Sequence, residues 1–420
     1  MRKNDKILAQ SPCMKKTILL FFFSFSFIYT NAQSFGFQFE NEKDIIEIPF
    51  EIHNNFMVVK VVINNSLPLR FIFDTGAEHT ILSKNIFASI LELTYDRPIR
   101  LVGADLNQEL VAHVSNNVHL KVGNAVAPKQ DILILADDYF KIDEYVGIEI
   151  HGIVGADLFR NLVLKIDNKR NSIYIQRVSS FRTPKRKWKE IPVSINKNKP
   201  YILAQAILGD QKTALKLLID TGASLSLLLH TNTSANIQLP ENIIQGSVGR
   251  GLGGILEGYL GRVNRLEFGE FFFNNIVTNY QDVSEAISIE SISNRNGILG
   301  NALIRRFNII INYPKEKLYL LPHRRYNKGF KYDRSGLELI VSGKELKTIT
   351  VYSLIKSSPA AEAGFQIGDK IISVNGMPAR FLDLKGVSKR LTKKVGKKIK
   401  IKIKRGEQIM TLHFKLRDLI

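Results

Sequence analysis

The sequence predicts a mostly β protein made of two copies of one β-rich lobe, followed by a smaller module that mixes strands with short helices. Three observations carry this. Segments repeat at a near-constant spacing, short runs rich in Val, Ile, Phe and Tyr are broken regularly by Asn, Gly and Pro, and the pattern changes after Tyr326. At roughly 100–200 residues per domain, 420 residues suffice for about three domains. With 45% hydrophobic and 23% charged residues the composition is that of a globular protein, which excludes a disordered chain or a fibre.

The first 32 residues read as a signal for export. Met14-Lys15-Lys16 precedes the apolar run Ile18 to Tyr29, which has signal-peptide length and is short for a membrane span. Thr30-Asn31-Ala32 supplies small residues where cleavage is expected, and Met14 offers an alternative start. A retained N-terminal anchor is the competing reading. Elsewhere no apolar run approaches the ~18 residues that cross a bilayer, which excludes a protein of several helical spans. Cleavage removes Cys13, the single cysteine, and lowers the formal charge from +20 to +16. The mature chain therefore has no disulfide framework and no cysteine zinc site.

The repeat organises the next 290 or so residues. Phe56 to Ala77 lies over Ile202 to Ala223 without a gap, at an offset of 146. Gly152-Ile-Val-Gly155 matches Gly297-Ile-Leu-Gly300 at an offset of 145, and Leu164 to Asp167 matches Ile309 to Asn312. The lobes are placed at 35–180 and 181–325, joined by a polar linker, Ser179 to Lys189. Asn64-Asn65 and Gly209-Asp210 occupy equivalent places and predict hairpin turns. Helical signals are brief, and the clearest follow Gly155 and Gly300.

Each lobe carries Asp-Thr-Gly at the end of an apolar strand. The copies are Asp74-Thr75-Gly76 after Phe71-Ile72-Phe73, and Asp220-Thr221-Gly222 after Leu217-Leu218-Ile219. The apolar neighbours partly desolvate each carboxylate. Glycine permits a tight turn, and the threonine hydroxyl bonds locally. One copy is ordinary turn chemistry. Two copies in matched apolar settings, each followed 77 or 78 residues later by Gly-Ile-Val/Leu-Gly, are specific.

On these residues the chain resembles the pepsin-like and retropepsin-like aspartic proteases, over both lobes. The resemblance implies a bilobal, pepsin-like double β-barrel with Asp74 and Asp220 as the catalytic dyad. It implies that Thr75 and Thr221 lock the two loops by reciprocal hydrogen bonds and that Gly76 and Gly222 hold them. Two carboxylates so close cannot both ionise, so the pair shares one proton and titrates as a unit. The ionised member takes a proton from water while the protonated member donates to the scissile carbonyl. No metal and no cofactor is implied.

Two features depart from the secreted acid type. Ala77 and Ala223 follow the glycines where a hydroxyl residue is usual, which predicts an optimum nearer weak acid to neutral. The flap candidates also differ, with Val102, Gly103 and Ala104 in the first lobe and the glycine run through Gly249, Gly251 and Gly253 in the second. That run satisfies G-x-G-x-x-G, but no amphipathic helix follows it, so a dinucleotide site is not expected. No His-Glu-x-x-His spacing supports zinc hydrolysis and no Gly-x-Ser-x-Gly elbow supports serine hydrolysis. Glu78 and His79 read as solvated surface residues.

In the last 85 residues, Ser358-Pro359 opens a short helix that Gly364 ends, and Asn375-Gly376 closes a hairpin. Asp383 to Lys394 is expected to be helical despite Gly386. Ile399, Ile401 and Ile403 alternate with lysines as a half-buried strand. The order resembles a bacterial PDZ domain over 334–417. That implies an α+β fold that takes an extended peptide by strand addition and holds its terminal carboxylate on loop amides. The residues implied are Ser335, Gly336, Leu337 and Glu338, with Leu339 lining the groove. A PDZ that only packs on the protease is the other reading. The basic face from Lys393 to Arg405 lacks interleaved aromatics, so no nucleic-acid partner is expected.

The sequence thus points to an exported aspartic endopeptidase, periplasmic or extracellular. Its partners are polypeptide substrates and protein C-termini, and no stable membrane span remains after cleavage. A catalytically silent peptide-binding scaffold is the alternative.

Overall fold

The computed structural model describes residues 36–39, 43–103, 109–138, 141–251, 254–285, 287, 290, 292–343 and 345–420, with backbone only at 248–251 and 254–256. The predicted signal, residues 1–32, and the flap candidates Ala104 and Gly253 lie outside the described residues. Among the described residues no helix is long and apolar enough to cross a membrane.

The first lobe is built from β1 (Phe56–Ile63), β2 (Pro68–Phe73), β3 (Ile81–Leu82), β4 (Glu109–Val122), β5 (Ala125–Leu135) and β6 (Gly152–Val154). They pair in the order β1-β2-β6-β3-β5-β4, and β4 returns to β1, closing a six-stranded barrel. The second lobe uses β7 (Lys199–Leu208), β8 (Gln211–Asp220), β9 (Leu227–His230), β10 (Gly254–Phe268), β11 (Phe271–Gln281) and β12 (Gly297–Gly300). Their order, β7-β8-β12-β9-β11-β10 with β10 returning to β7, is the same ring. Two closed barrels in tandem are the architecture that the sequence repeat predicts.

Local chemistry explains the strands. Asn64 and Asn65 take positive φ (47° and 54°), as does Gly209 (60°), so the hairpins turn where left-handed backbone is tolerated. β1 and β2 contribute fully buried Phe56, Met57, Phe71 and Phe73, each worth ~1.5–3 kcal/mol relative to exposure.

A six-stranded sheet spans both lobes, ordered 45–49, 172–176, 163–167, 307–312, 317–322 and 189–192. Its seam pairs Leu164 with Ile311 and Ile166 with Ile309, so matching segments of the two copies meet across a pseudo-twofold. The expected linker is packed rather than free. Phe181 and Trp188 lie against Val163, Ile310 and Tyr319 of this sheet. Their apolar rings outweigh the four bases between them as a guide to where the segment sits.

The C-terminal module is a sheet of β13 (Leu337–Ser342), β14 (Thr348–Leu354), β15 (Lys370–Val374), β16 (Lys398–Arg405) and β17 (Gln408–Lys415) in chain order. The helices α3 (Pro359–Glu362) and α4 (Leu384–Leu391) pack into its core. Ser358 Oγ caps α3 by accepting from the Ala361 amide, and Asp383 caps α4 by accepting from Gly386. α4 stops three residues before the predicted end.

Candidate active site

Each Asp-Thr-Gly turn lies at the C-terminal end of a barrel strand that is paired on both sides, β2 or β8. β2 runs parallel to β6, with Phe73 opposite Val154, and the Asp74 amide then donates to the Val154 carbonyl at 3.0 Å. β8 runs parallel to β12, with Asp220 opposite Gly300. Each turn is braced from behind by a glycine that leaves no room for a side chain. A Cβ at Gly152 would lie 2.1 Å from the Ile81 carbonyl oxygen, and one at Gly297 2.0 Å from that of Leu228.

The two loops meet and lock reciprocally. The Thr75 amide donates to Thr221 Oγ1 at 3.0 Å, and the Thr221 amide donates to Thr75 Oγ1 at 3.2 Å. Each hydroxyl passes its own proton across the seam, Thr75 to the Ile219 carbonyl at 2.7 Å and Thr221 to the Phe73 carbonyl at 2.8 Å. Both threonines are fully buried. Four bonds with both partners inside the protein fix the separation of the aspartates that precede them.

The carboxyls of Asp74 and Asp220 come together at the meeting of the two loops, each against the glycine of the other's loop. The Gly76 amide donates to Asp74 at 2.7 Å, and the Gly222 and Ala223 amides donate to Asp220 at 2.7 and 2.9 Å. Gly76 and Gly222 do more than turn the chain. A Cβ on Gly76 would lie 2.6 Å from the Asp220 carboxyl, and one on Gly222 2.3 Å from that of Asp74. Burial raises Asp74 well above the usual carboxylate range, and the charge of Asp220 adds to this. Burial also raises Asp220, opposed by its bond to Asp74, the charge of Arg295 and the loop amides. Two buried carboxyls this close oppose a second negative charge.

The dyad lies in a cavity of about 550 Å³ between the lobes. The first lobe lines it with Ile72, Ile81, Leu133, Ile142, Tyr145 and Ile153. Val102 and Gly103, at the tip of the hairpin formed by the 97–102 strand and β4, also line it. Gly249 and Gly251 lie in the 244–251 strand, which pairs with β10 as the matching hairpin of the second lobe.

Residues 59–158 match the aspartyl protease family and residues 350–405 match the PDZ domain family. The chain carries an aspartyl protease domain and a C-terminal PDZ domain. No curated protein matches it. The protease match covers the lobe of Asp74. The lobe of Asp220 is tied to it by the sequence repeat and by the identical strand order of the two barrels.

Three polar residues of the protease lobes were not singled out in the sequence. Asp157, behind the first catalytic loop, accepts from the Thr80 amide and hydroxyl at 3.2 and 3.1 Å, and burial raises its carboxyl to about 6. Arg295 and Lys199 line the cleft on the second lobe. A signal for Arg295 was present, because the offset of 145 sets it opposite Ile150 and so breaks the repeat.

In the PDZ domain Ser335 is buried and Gly336 has φ +82°. The Ser335 and Gly336 amides donate to Asp333 Oδ1 at 2.8 and 3.0 Å, so an internal carboxylate holds amides that the resemblance assigns to a peptide terminus. The Leu337 amide donates to Ser335 Oγ at 3.1 Å. Leu337 and Leu339 pack on the PDZ core, and Glu338 accepts from Ser247 Oγ of the second protease lobe at 3.0 Å.

Proposed function

We propose that this chain is an exported aspartic endopeptidase that hydrolyses peptide bonds with water activated between Asp74 and Asp220. One observation carries the reading: two carboxyls from different lobes are brought together in a cleft, held by threonines that lock their loops. Sharing one proton, the pair offers a base for water and an acid for the carbonyl oxygen at once. The cleft accepts an extended peptide, and its first-lobe wall favours an apolar side chain.

The PDZ domain recruits polypeptide termini or regulates access to the cleft. Contact between Glu338 and Ser247 supports a regulatory link, since Ser247 belongs to the flap hairpin of the second lobe. Capture of a C-terminal carboxylate by the loop amides requires Asp333 to give them up. Export to the periplasm or cell exterior is proposed from the Met14–Ala32 pattern.

The test is cleavage of a peptide library by the mature protein beside Asp74→Asn and Asp220→Asn. Cleavage by wild type with loss in both variants is the expected result. Equal cleavage by all three overturns the mechanism.

A further inference from the structure

The two lobes share one strand order, so equivalent positions can be compared directly, and on the cleft wall they differ in kind. β3 and β9 align through their antiparallel pairing with β6 and β12. On that alignment Leu133 and Leu135 of the first lobe correspond to Asn279 and Gln281 of the second. Ser83 corresponds to His230, since each donates its amide to the residue before the bracing glycine, His151 or Asn296. Ile150 corresponds to Arg295. All eight are buried. Three of the four first-lobe residues, Leu133, Leu135 and Ile150, belong to an apolar cluster, whereas all four second-lobe residues are polar and line the cleft.

Arg295 is only 8% exposed, and its Nε has no hydrogen-bond partner. It lies beside the Tyr201 hydroxyl, with its charge acting on Asp220. Lys199, half-buried at the start of β7, lines the same cavity. Arg295 and Lys199 repel each other, and Glu78 and Asp74 act on Lys199 across the cleft. Neither cation takes part in an ion pair within 4 Å among the described residues. Holding the buried Arg295 near a second, half-buried cation is unfavourable, and an incoming anion would offset that cost.

We propose that the second-lobe wall is a subsite for an acidic substrate side chain, Asp or Glu, received by Arg295 and Lys199, while the first-lobe wall takes an apolar one. The substrate class is thus a peptide with an apolar residue on one side of the cleaved bond and an acidic residue on the other. This rests on the endopeptidase reading above. A planar guanidinium suits a carboxylate, and a buried charged bond discriminates against the neutral isostere far more than a lost methylene does.

Matched peptides that differ only by Glu or Gln at that position test it. Wild type is expected to favour Glu by about 10–100-fold in kcat/KM. Arg295→Gln collapses the ratio toward one, with the loss falling mainly on the Glu peptide, and Arg295→Lys restores part of it. Lys199→Met makes the same comparison at the rim should Arg295→Gln fail to fold by thermal melt. Parity of the two peptides on wild type overturns the subsite. So does an equal loss on both peptides with a shifted pH–rate profile, which would mean that Arg295 only tunes Asp220. Binding of uncleaved Glu and Gln peptides to Asp74→Asn reads the subsite without catalysis, and equal affinities there also overturn it. If Asp74→Asn cleaves like wild type, the endopeptidase reading itself fails.

Discussion

Four hydrogen bonds made by two threonines, two to each other and two to the Ile219 and Phe73 carbonyls, hold the two Asp-Thr-Gly loops together, and their removal is the most direct probe of the proposed dyad. Thr221→Val deprives the Thr75 amide of its acceptor and the Phe73 carbonyl of its donor in a fully buried seam. An expected loss of about 1–3 kcal/mol per orphaned group is measurable by chemical denaturation. At the acids themselves, Asp74→Asn or Asp220→Asn should lower kcat about 10²–10⁴-fold with little change in melting temperature, by steady-state kinetics and calorimetry. The pH profile has a defined sign. Burial raises both carboxyls, and the methyls of Ala77 and Ala223 supply no hydroxyl donor to the charged form. On the proposed mechanism activity needs the singly protonated pair, so both limbs of the profile are expected to move upward and the optimum to lie in the weakly acid to neutral range. A rate maximum near pH 2, about the lower value of the pepsin pair, would contradict this.

At the level of elements, glycines set how closely the strands beside the Asp-Thr-Gly turns approach one another. Gly297→Ala would put a methyl against the Leu228 carbonyl, and β12 is paired on both sides, so the strand cannot move away without losing its ladder. A loss of about 2 kcal/mol or more is expected in denaturant titration. The glycine in α4 has a local reason too. The Gly386 amide donates to the capping Asp383 at 2.7 Å, and a Cβ there would meet that same carboxylate at 2.9 Å. Asp383→Ala should cost about 1 kcal/mol of PDZ stability. The hairpins at Asn64-Asn65, Gly209 and Asn375-Gly376 were legible because left-handed backbone restricts the residue types allowed. The packing of Phe181 and Trp188 was not legible, because a polar stretch between repeats looks the same whether or not its two rings find a surface.

Across the whole molecule, the PDZ domain touches both protease lobes. α1 (Asp143–Val146) packs on β13, Gly147 lies beside Leu384 of α4, and Ser247 bonds Glu338. Ile142, beside α1, and Tyr145, within it, line the cleft that holds Asp74 and Asp220, so one short segment borders both the cleft and the PDZ domain. Asp333 gives this region a pH dependence. Burial raises its carboxyl from 3.8 to about 6 against the loop amides that donate to it. The folded state therefore holds the proton more tightly. The stabilisation is complete below the unfolded value and fades as pH rises through about 6. Asp333→Asn keeps an acceptor for those amides without the titration. Its stability relative to wild type should grow by on the order of 1–3 kcal/mol between about pH 4 and pH 7.5, read from denaturation curves.

The sequence by itself determined the duplicated β lobe, the two Asp-Thr-Gly turns and the C-terminal PDZ pattern, because repeats, turn chemistry and strand periodicity are local and survive in one dimension. The tertiary structure alone decided three further things. It set the burial of Arg295 on the second-lobe side of the cleft, and which carboxylate occupies the PDZ loop amides. It also brought α1 and the second-lobe flap hairpin against the PDZ strand. The first depends on burial, a property of the folded surface that no stretch of chain carries alone, and the last on contacts between residues about 90–200 positions apart, whereas the Asp333 bonds span only two and three residues and depend on how the loop turns.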